Sequence, residues 1–406
     1  CIATCRLRLK PGNRCGWRSK LQSAAMRTLL LLCLALLWHA APGHAYPDRP
    51  LTLILPFPWT GSTDIAGVPR FSKLQSIMQT LSPSLTDFLV LEVQQSIAAA
   101  LGQPVHVSRR VQGKTNIGTR YVATAVRDGY TLLFADSPTI TVAPVRNPAL
   151  RIEPVKALVP VAMFAHMPIA MVAASSPPVP GVREIIERAR RLPGSINYAS
   201  SGGGSTSHLT GELFRAMSDA NIVYVNYNGS LAALGAIITN EIEIGFVPLA
   251  AVLPFLEGGK VKLMAVGSAA RHPVLPNVPT IGEAGIPGFA AGGWFGVFVP
   301  ARTPGVIVSL LNYEINRALS GKSLQRALIA QGLLPAPGTA EDFRVLNLAK
   351  AREDQSHELL VGGLLTFYQQ RRLFRVRRGE LRPYNLEPPL WVFLGSSVNA
   401  LYGSGP

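Results

Sequence analysis

No cysteine occurs after Cys33 in this 406-residue chain; Cys1, Cys5, Cys15 and Cys33 all precede residue 46. Thiol catalysis, cysteine-ligated metal and structural disulfides are therefore excluded from the body of the sequence. That absence is compatible with an exported protein. Acidic residues are missing elsewhere. Residues 1–25 carry six basic side chains (Arg6, Arg8, Lys10, Arg14, Arg18, Lys20) and no acid. Arg27 adds one more, and the tail 366–406 has six arginines against Glu380 and Glu387. Of the formal net charge of +16, these parts hold +6, +1 and +4, which leaves +5 for the middle. So small an excess defines no nucleic-acid footprint, and nucleic acid is not an expected partner. The arginines from Arg371 to Arg382 read as a solvated tail.

Long apolar runs are also scarce. The one from Leu29 to Trp38 is too short for a comfortable membrane span. It follows Met26-Arg27 and precedes Ala40-Ala-Pro-Gly-His-Ala45, so residues 26–45 read as a secretory signal peptide and the working protein is expected to start at Tyr46. Residues 1–25 then read as an upstream translated extension. Catalytic signatures are missing as well. There is no Gly-x-Ser-x-Gly elbow around Ser200 or Ser205. Gly113-Lys114-Thr115 has Ser108 where a phosphate loop needs glycine, so it reads as a surface turn. His208 and Glu212 can share a helix face, but no second pair accompanies them, so no metal site is expected.

What the chain does have is Tyr198-Ala-Ser-Ser-Gly-Gly-Gly-Ser-Thr-Ser-His208-Leu-Thr-Gly-Glu212. A strand is expected to end at Tyr198 and an amphipathic helix to begin after three glycines among five hydroxyl residues. Glycine allows positive φ and close approach to a ligand. A helix start offers unpaired N–H groups and a positive dipole end. The loop reads as a carboxylate or phosphate cradle.

Strands are expected at 51–56, 105–107, 130–134, 159–164, 169–173, 195–199, 222–225, 242–247, 263–266 and 294–299. Helices are expected at 93–101, 183–191, 231–238 and 306–318. A first helix beginning at Thr63 or Asp64 is interrupted by Gly67 and Pro69. The alternation implies an α/β architecture with largely parallel sheets. From Phe343 onward the apolar periodicity is lost, and 366–406 is an anomalous basic segment.

Several separated motifs stand in a fixed order: Tyr46-Pro-Asp-Arg-Pro50, Pro56-Phe-Pro-x-x-Gly-Ser-Thr-Asp64, Leu101-Gly-Gln-Pro104, Asn116-Ile-Gly118 and Asp128-Gly-Tyr-Thr-Leu-Leu133. Asn197-Tyr-Ala-Ser-Ser-Gly202, Gly211-Glu-Leu-Phe214, Tyr227-x-Gly-Ser230, Leu275-Pro-x-Val-Pro-Thr280, Glu283-Ala-Gly285 and Trp294-Phe-Gly296 follow. Over roughly residues 46–343 the chain resembles the periplasmic solute receptors of tripartite tricarboxylate transporters, the Bug family. The resemblance implies a two-lobed type 2 periplasmic-binding-protein fold with crossover hinge strands. Lobe 1 would be 46–168 with 291–365, and lobe 2 would be 169–290. It implies a monomeric periplasmic receptor, without cofactor or covalent chemistry, that serves the membrane subunits of such a transporter. The solute would be a small di- or tricarboxylate, amino acid or aromatic acid.

Thr60, Gly61, Ser62, Thr63 and Asp64 would contact it from one lobe. Ser200, Ser201, Gly202, Gly203, Gly204, Ser205, Thr206 and His208 would face them, with Tyr227 and Gly229 nearby. Taken singly, Asp64 reads as an N-cap or a ligand contact, His208 as a local cap or a contact, and Tyr227 as pocket wall or strand-end core. The chain departs from the family pattern at Trp59-Thr60, with roughly twenty extra residues between Asp64 and Leu101. It also departs at Gln112–Thr115, Asn228, Ala236 and Val247. Two other readings therefore stand beside the receptor: a hydrolase or transferase using the loop as an oxyanion site, and a decayed or frameshifted paralogue.

Overall fold

A computed structural model describes residues 46–56, 85–110, 116–146, 152–175, 180–256 and 258–351. The extension 1–25, the signal segment 26–45, the loop Thr60–Asp64, the interruption at Gly67 and Pro69, the Gly113–Thr115 turn and the tail 366–406 lie outside these residues. The elements below belong to the compact unit that begins at Arg49.

Leu51–Leu55 (β1) is apolar at four of its five positions and buried at Leu51, Leu53, Ile54 and Leu55. Such a run suits a strand covered on both faces. It pairs in parallel with β2 (Val105–Arg109) and β3 (Thr131–Asp136). The helix Leu85–Leu101 crosses from β1 towards β2, burying Leu89, Val90, Val93 and Ile97 on one face. It is longer than the segment from Val93 that periodicity predicts, because Leu89 and Val90 extend the same stripe N-terminally. Gly102, at φ +65, ends it.

The centre of the sheet departs from the expected parallel arrangement. Leu158–Ala174 (β4) is one 17-residue strand, where sequence predicts two. Residues 158–168 pair antiparallel with β9 (Gly292–Pro300), while 169–174 pair antiparallel with β7 (Ile244–Pro248) and β8 (Val261–Val266). His166 and Pro168 interrupt the apolar pattern where β4 changes partners, and the strand runs on through them. The strand order is β2-β1-β3-β9-β4-β7-β5-β6, where β5 is Ile196–Ser200 and β6 is Ile222–Asn226, with β8 and β10 (Leu334–Pro335) also joined to β4. The sheet is mixed: parallel among β1, β2 and β3 and among β5, β6 and β7, antiparallel around β4 and β9.

Residues 340–351 are helical although their apolar period is lost. Their buried positions are Phe343, Asn347, Lys350 and Ala351, a helical stripe hidden from a hydropathy reading by two polar members. Phe343 stands edge-on to Trp294 at 4.9 Å and fills the space beside Gly296, where a β-carbon would lie 2.3 Å from its Cζ.

Candidate ligand-binding site

β5 ends at Ser200, two residues beyond the expected end at Tyr198, and the helix Thr206–Ser218 starts after Ser205. The intervening turn needs glycine at Gly202 (φ +135) and Gly204 (φ +74). Its own amides brace it. Gly203 N–H donates to Asn226 Oδ1 at 3.0 Å, and Gly204 N–H to His208 Nδ1 at 3.1 Å. Ser205 N–H reaches Gly202 O at 3.1 Å. Ser205 is the N-cap, its Oγ accepting from His208 N–H at 3.2 Å, and Ser201 Oγ lies 3.2 Å from Ser205 Oγ.

A second turn is sewn to the first. Tyr227 N–H donates to Ser200 O at 3.3 Å and Gly229 N–H to Ser201 O at 3.2 Å. Gly229 (φ +98) then precedes the helix Ser230–Ile238. Two helix starts thus lie side by side at the C-terminal ends of adjacent parallel strands. Each carries a partial positive charge.

Open donors sit one step further along. Thr206 and Ser207 are 6 % and 1 % exposed, and neither Thr206 Oγ1 nor Ser207 Oγ has a hydrogen-bond partner. Their N–H groups belong to the first helical turn, which has no intrahelical acceptor. Facing Thr206 is Gly293 on β9: a β-carbon there would lie 2.9 Å from Thr206 Oγ1 and 3.1 Å from Ser137 Oγ. Ser137 opens the short helix after β3, capped by Asp136, whose side chain accepts from Thr139 N–H at 3.1 Å. Burial raises the Asp136 carboxyl above its ordinary range, against the hydrogen bonds from Thr139. Groups following β3 and β5 and a glycine of β9 therefore converge.

Arg146 lies against the glycine turn. A β-carbon on Gly203 would lie 3.2 Å from its Nη1 and 3.3 Å from its Nη2, so the guanidinium rests against a residue with no side chain. Ser137, Asn226 and Arg146 escape the sequence reading. Asp136-Ser-Pro138 at a strand end is a readable N-cap followed by a helix-starting proline; nothing comparable marks Asn226 or Arg146.

His208 is 4 % exposed and lies 4.2 Å, centroid to centroid, from the Tyr224 ring. Burial lowers its pKa to about 4; Glu212 opposes that, and Arg146 and Arg215 add to it. Tyr227 packs against apolar side chains, and its hydroxyl donates to Glu241 Oε1 at 3.3 Å. Near the end of β1, Gly118 fits closely: a β-carbon would lie 3.1 Å from Pro56 Cα and 3.0 Å from Arg110 O. This is the strand from which the Thr60–Asp64 loop departs; the loop itself lies outside the described residues. Among the described residues no group of three or more His, Cys, Asp or Glu could hold a metal, and no helix is long and apolar enough to cross a membrane.

The fold is that of the α/β periplasmic binding proteins, with strands crossing between two sheet halves. Residues 89–358 match the family described as "Tripartite tricarboxylate transporter family receptor". Protein BugT of Bordetella pertussis is 33% identical over 312 residues, covering 75% of this chain and 87% of that protein. A solved R. palustris structure with adipate is 30% identical, with a TM-score of 0.63 over 78% of this chain and 98% of that one. MatC from Rhodopseudomonas palustris with bound malate is 26% identical, with a TM-score of 0.60 over 77% and 99% of the two chains. The chain belongs to the tripartite tricarboxylate transporter receptor family.

Proposed function

We propose that this chain is a periplasmic receptor that captures a small carboxylate between two lobes and presents it to the membrane subunits of a tripartite tricarboxylate transporter. The observation that carries the reading is the pair of buried, unpartnered hydroxyls of Thr206 and Ser207 at a helix start. A buried donor without an acceptor costs about 1–3 kcal/mol. A carboxylate placed there relieves that cost and meets the positive helix end. Ser200, Ser201, Gly202, Gly203, Gly204, Ser205 and His208 hold the cradle in shape, and Tyr227 and Gly229 border it. Thr60, Gly61, Ser62, Thr63 and Asp64 are the further ligand contacts of this reading.

The lobes are 46–168 with 291–365, and 169–290, with β4 and β9 as the crossing strands. Closure follows from tighter ligand binding in the shut form. The signal segment 26–45 exports a protein that acts as a monomer. No covalent step belongs to this reading. In this reading Ser205 Oγ serves as helix cap and His208 Nδ1 accepts from Gly204. The relatives solved with adipate and malate make dicarboxylates the first ligands to try.

Calorimetric titration of the purified protein with malate, adipate, citrate, glutamate and nicotinate tests the proposal. Saturable binding of one carboxylate without turnover is expected. A folded protein that binds none of them would overturn it, and turnover abolished by Ser205→Ala would favour the hydrolase.

A further inference from the structure

We infer that Ser137 is a ligand-contact residue, whose hydroxyl holds one carboxylate of the solute together with the hydroxyl of Thr206. The inference rests on the carboxylate-receptor reading above and deepens it by assigning a contact from the opposite strand group. Ser137 follows β3 and Thr206 follows β5, and β9, β4 and β7 stand between those two strands in the sheet.

The two hydroxyls nonetheless meet at one point. A β-carbon on Gly293 of β9 would lie 2.9 Å from Thr206 Oγ1 and 3.1 Å from Ser137 Oγ, so the two oxygens are no more than about 6 Å apart. A residue without a side chain is what lets them approach so closely over the strand. Both residues are buried, Ser137 at 1 % and Thr206 at 6 % exposure, and Thr206 Oγ1 has no hydrogen-bond partner. Ser137 engages its carbonyl with Thr141 Oγ1 at 2.8 Å, while its hydroxyl lies at Gly293. Asp136, the acid beside it, turns Oδ1 to Thr139 N–H at 3.1 Å. The third group at the Gly293 position is Met167 Cε, at 3.0 Å, an apolar methyl that leaves polar contact to the two hydroxyls. A hydroxyl bonds a carboxylate oxygen at about 2.5–2.7 Å. Two hydroxyls within about 6 Å of each other can therefore donate to the two oxygens of one carboxylate. Held in this way, the ligand joins the turn after β3 to the turn after β5, and each hydroxyl fixes the carboxylate for the other.

The test is calorimetry with whichever of malate, adipate, citrate, glutamate and nicotinate binds wild type best, repeated on Ser137→Ala, Thr206→Val and the double variant. Ser137→Ala should lose about 10-fold in affinity, the value of one hydrogen bond to a charge, with its ligand-free thermal melt unchanged. The double variant should lose less than the product of the two single losses, by about 2-fold or more, because the two groups share one partner. Wild-type affinity in Ser137→Ala would overturn the inference and leave the receptor reading standing. So would an affinity loss accompanied by a lowered ligand-free melt, which marks a structural role, or single losses that multiply in the double variant. A wild-type protein that binds none of the five acids would remove the receptor reading itself, and this inference with it.

Discussion

The Tyr198 hydroxyl donates to Glu212 Oε1 at 2.6 Å, tying the strand that enters the glycine loop to the helix that leaves it. Both residues are buried, and Arg215 completes the arrangement by pairing with Glu212. Gly211 makes the contact possible, since a β-carbon there would lie 2.3 Å from Tyr198 Cε2. The loop is shaped from below by a strand–helix clamp as well as by its own glycines.

Gly211→Ala should therefore destabilise the protein by about 1–3 kcal/mol, the range for overpacking a filled core. Gly305→Ala is the control, because a β-carbon there meets nothing within 4 Å. Urea unfolding of both variants checks this; equal midpoints would show that the clamp yields freely.

Hydroxyls one position apart should behave differently. Ser205 caps the helix, so Ser205→Ala should cost about 1 kcal/mol of stability. Thr206→Val and Ser207→Ala remove groups with no partner inside the protein and should leave stability unchanged or slightly raised. Both should weaken carboxylate binding by about 10-fold, the value of one good hydrogen bond to a charge. Calorimetry beside thermal melts separates the roles, and loss of stability in Thr206→Val without loss of affinity would contradict them.

Gly293→Ala should impair ligand binding at little cost to the sheet. Its new methyl group would press on Thr206 Oγ1, Met167 Cε and Ser137 Oγ, at 2.9, 3.0 and 3.1 Å. Titration with the best carboxylate should show at least a several-fold loss; wild-type affinity would mean that ligand sits elsewhere.

Acid should weaken the fold through His208. Its folded pKa of about 4 lies below the ordinary histidine value of 6.5, chiefly through burial. Between those values the unfolded chain takes up the proton and the folded chain does not. This one group's contribution is thus fully present above pH 6.5 and falls as pH drops towards 4, by up to about 1.4 kcal/mol per unit. His166, lowered by burial to about 4, and His272, lowered by burial too, add to the same slope. Urea unfolding of wild type and His208→Gln from pH 7 to 4.5 should show a shallower slope in the variant. Identical slopes would assign the proton uptake elsewhere.

Much of the site is legible because it depends on local chemistry. Three glycines after a strand, hydroxyls at a helix start and Gly229 before another helix have one economical reading, as a turn with open donors. What local chemistry does not disclose is which donors remain open. Gly203 and Gly204 look available in sequence, yet Asn226 and His208 accept their N–H groups. Those partners are a neighbouring strand end and a side chain returning from the helix, and a neighbour across a sheet leaves no mark on spacing. The Phe343 helix escaped for a related reason. Asn347 and Lys350 occupy its buried stripe, and burial of a polar side chain is decided by the surroundings.

By itself the sequence determined the α/β alternation, the absence of thiol chemistry after Cys33, the glycine turn and its capped helix. Each of these follows from backbone freedom, side-chain chemistry or periodicity within a few residues. Only the tertiary structure decided that β4 is a single strand serving two partners in turn. It also decided that Ser137 and Gly293 meet Thr206 and that Arg146 meets Gly203. Those groups are far apart in the chain, and only sheet pairing and core packing bring them within a few ångströms.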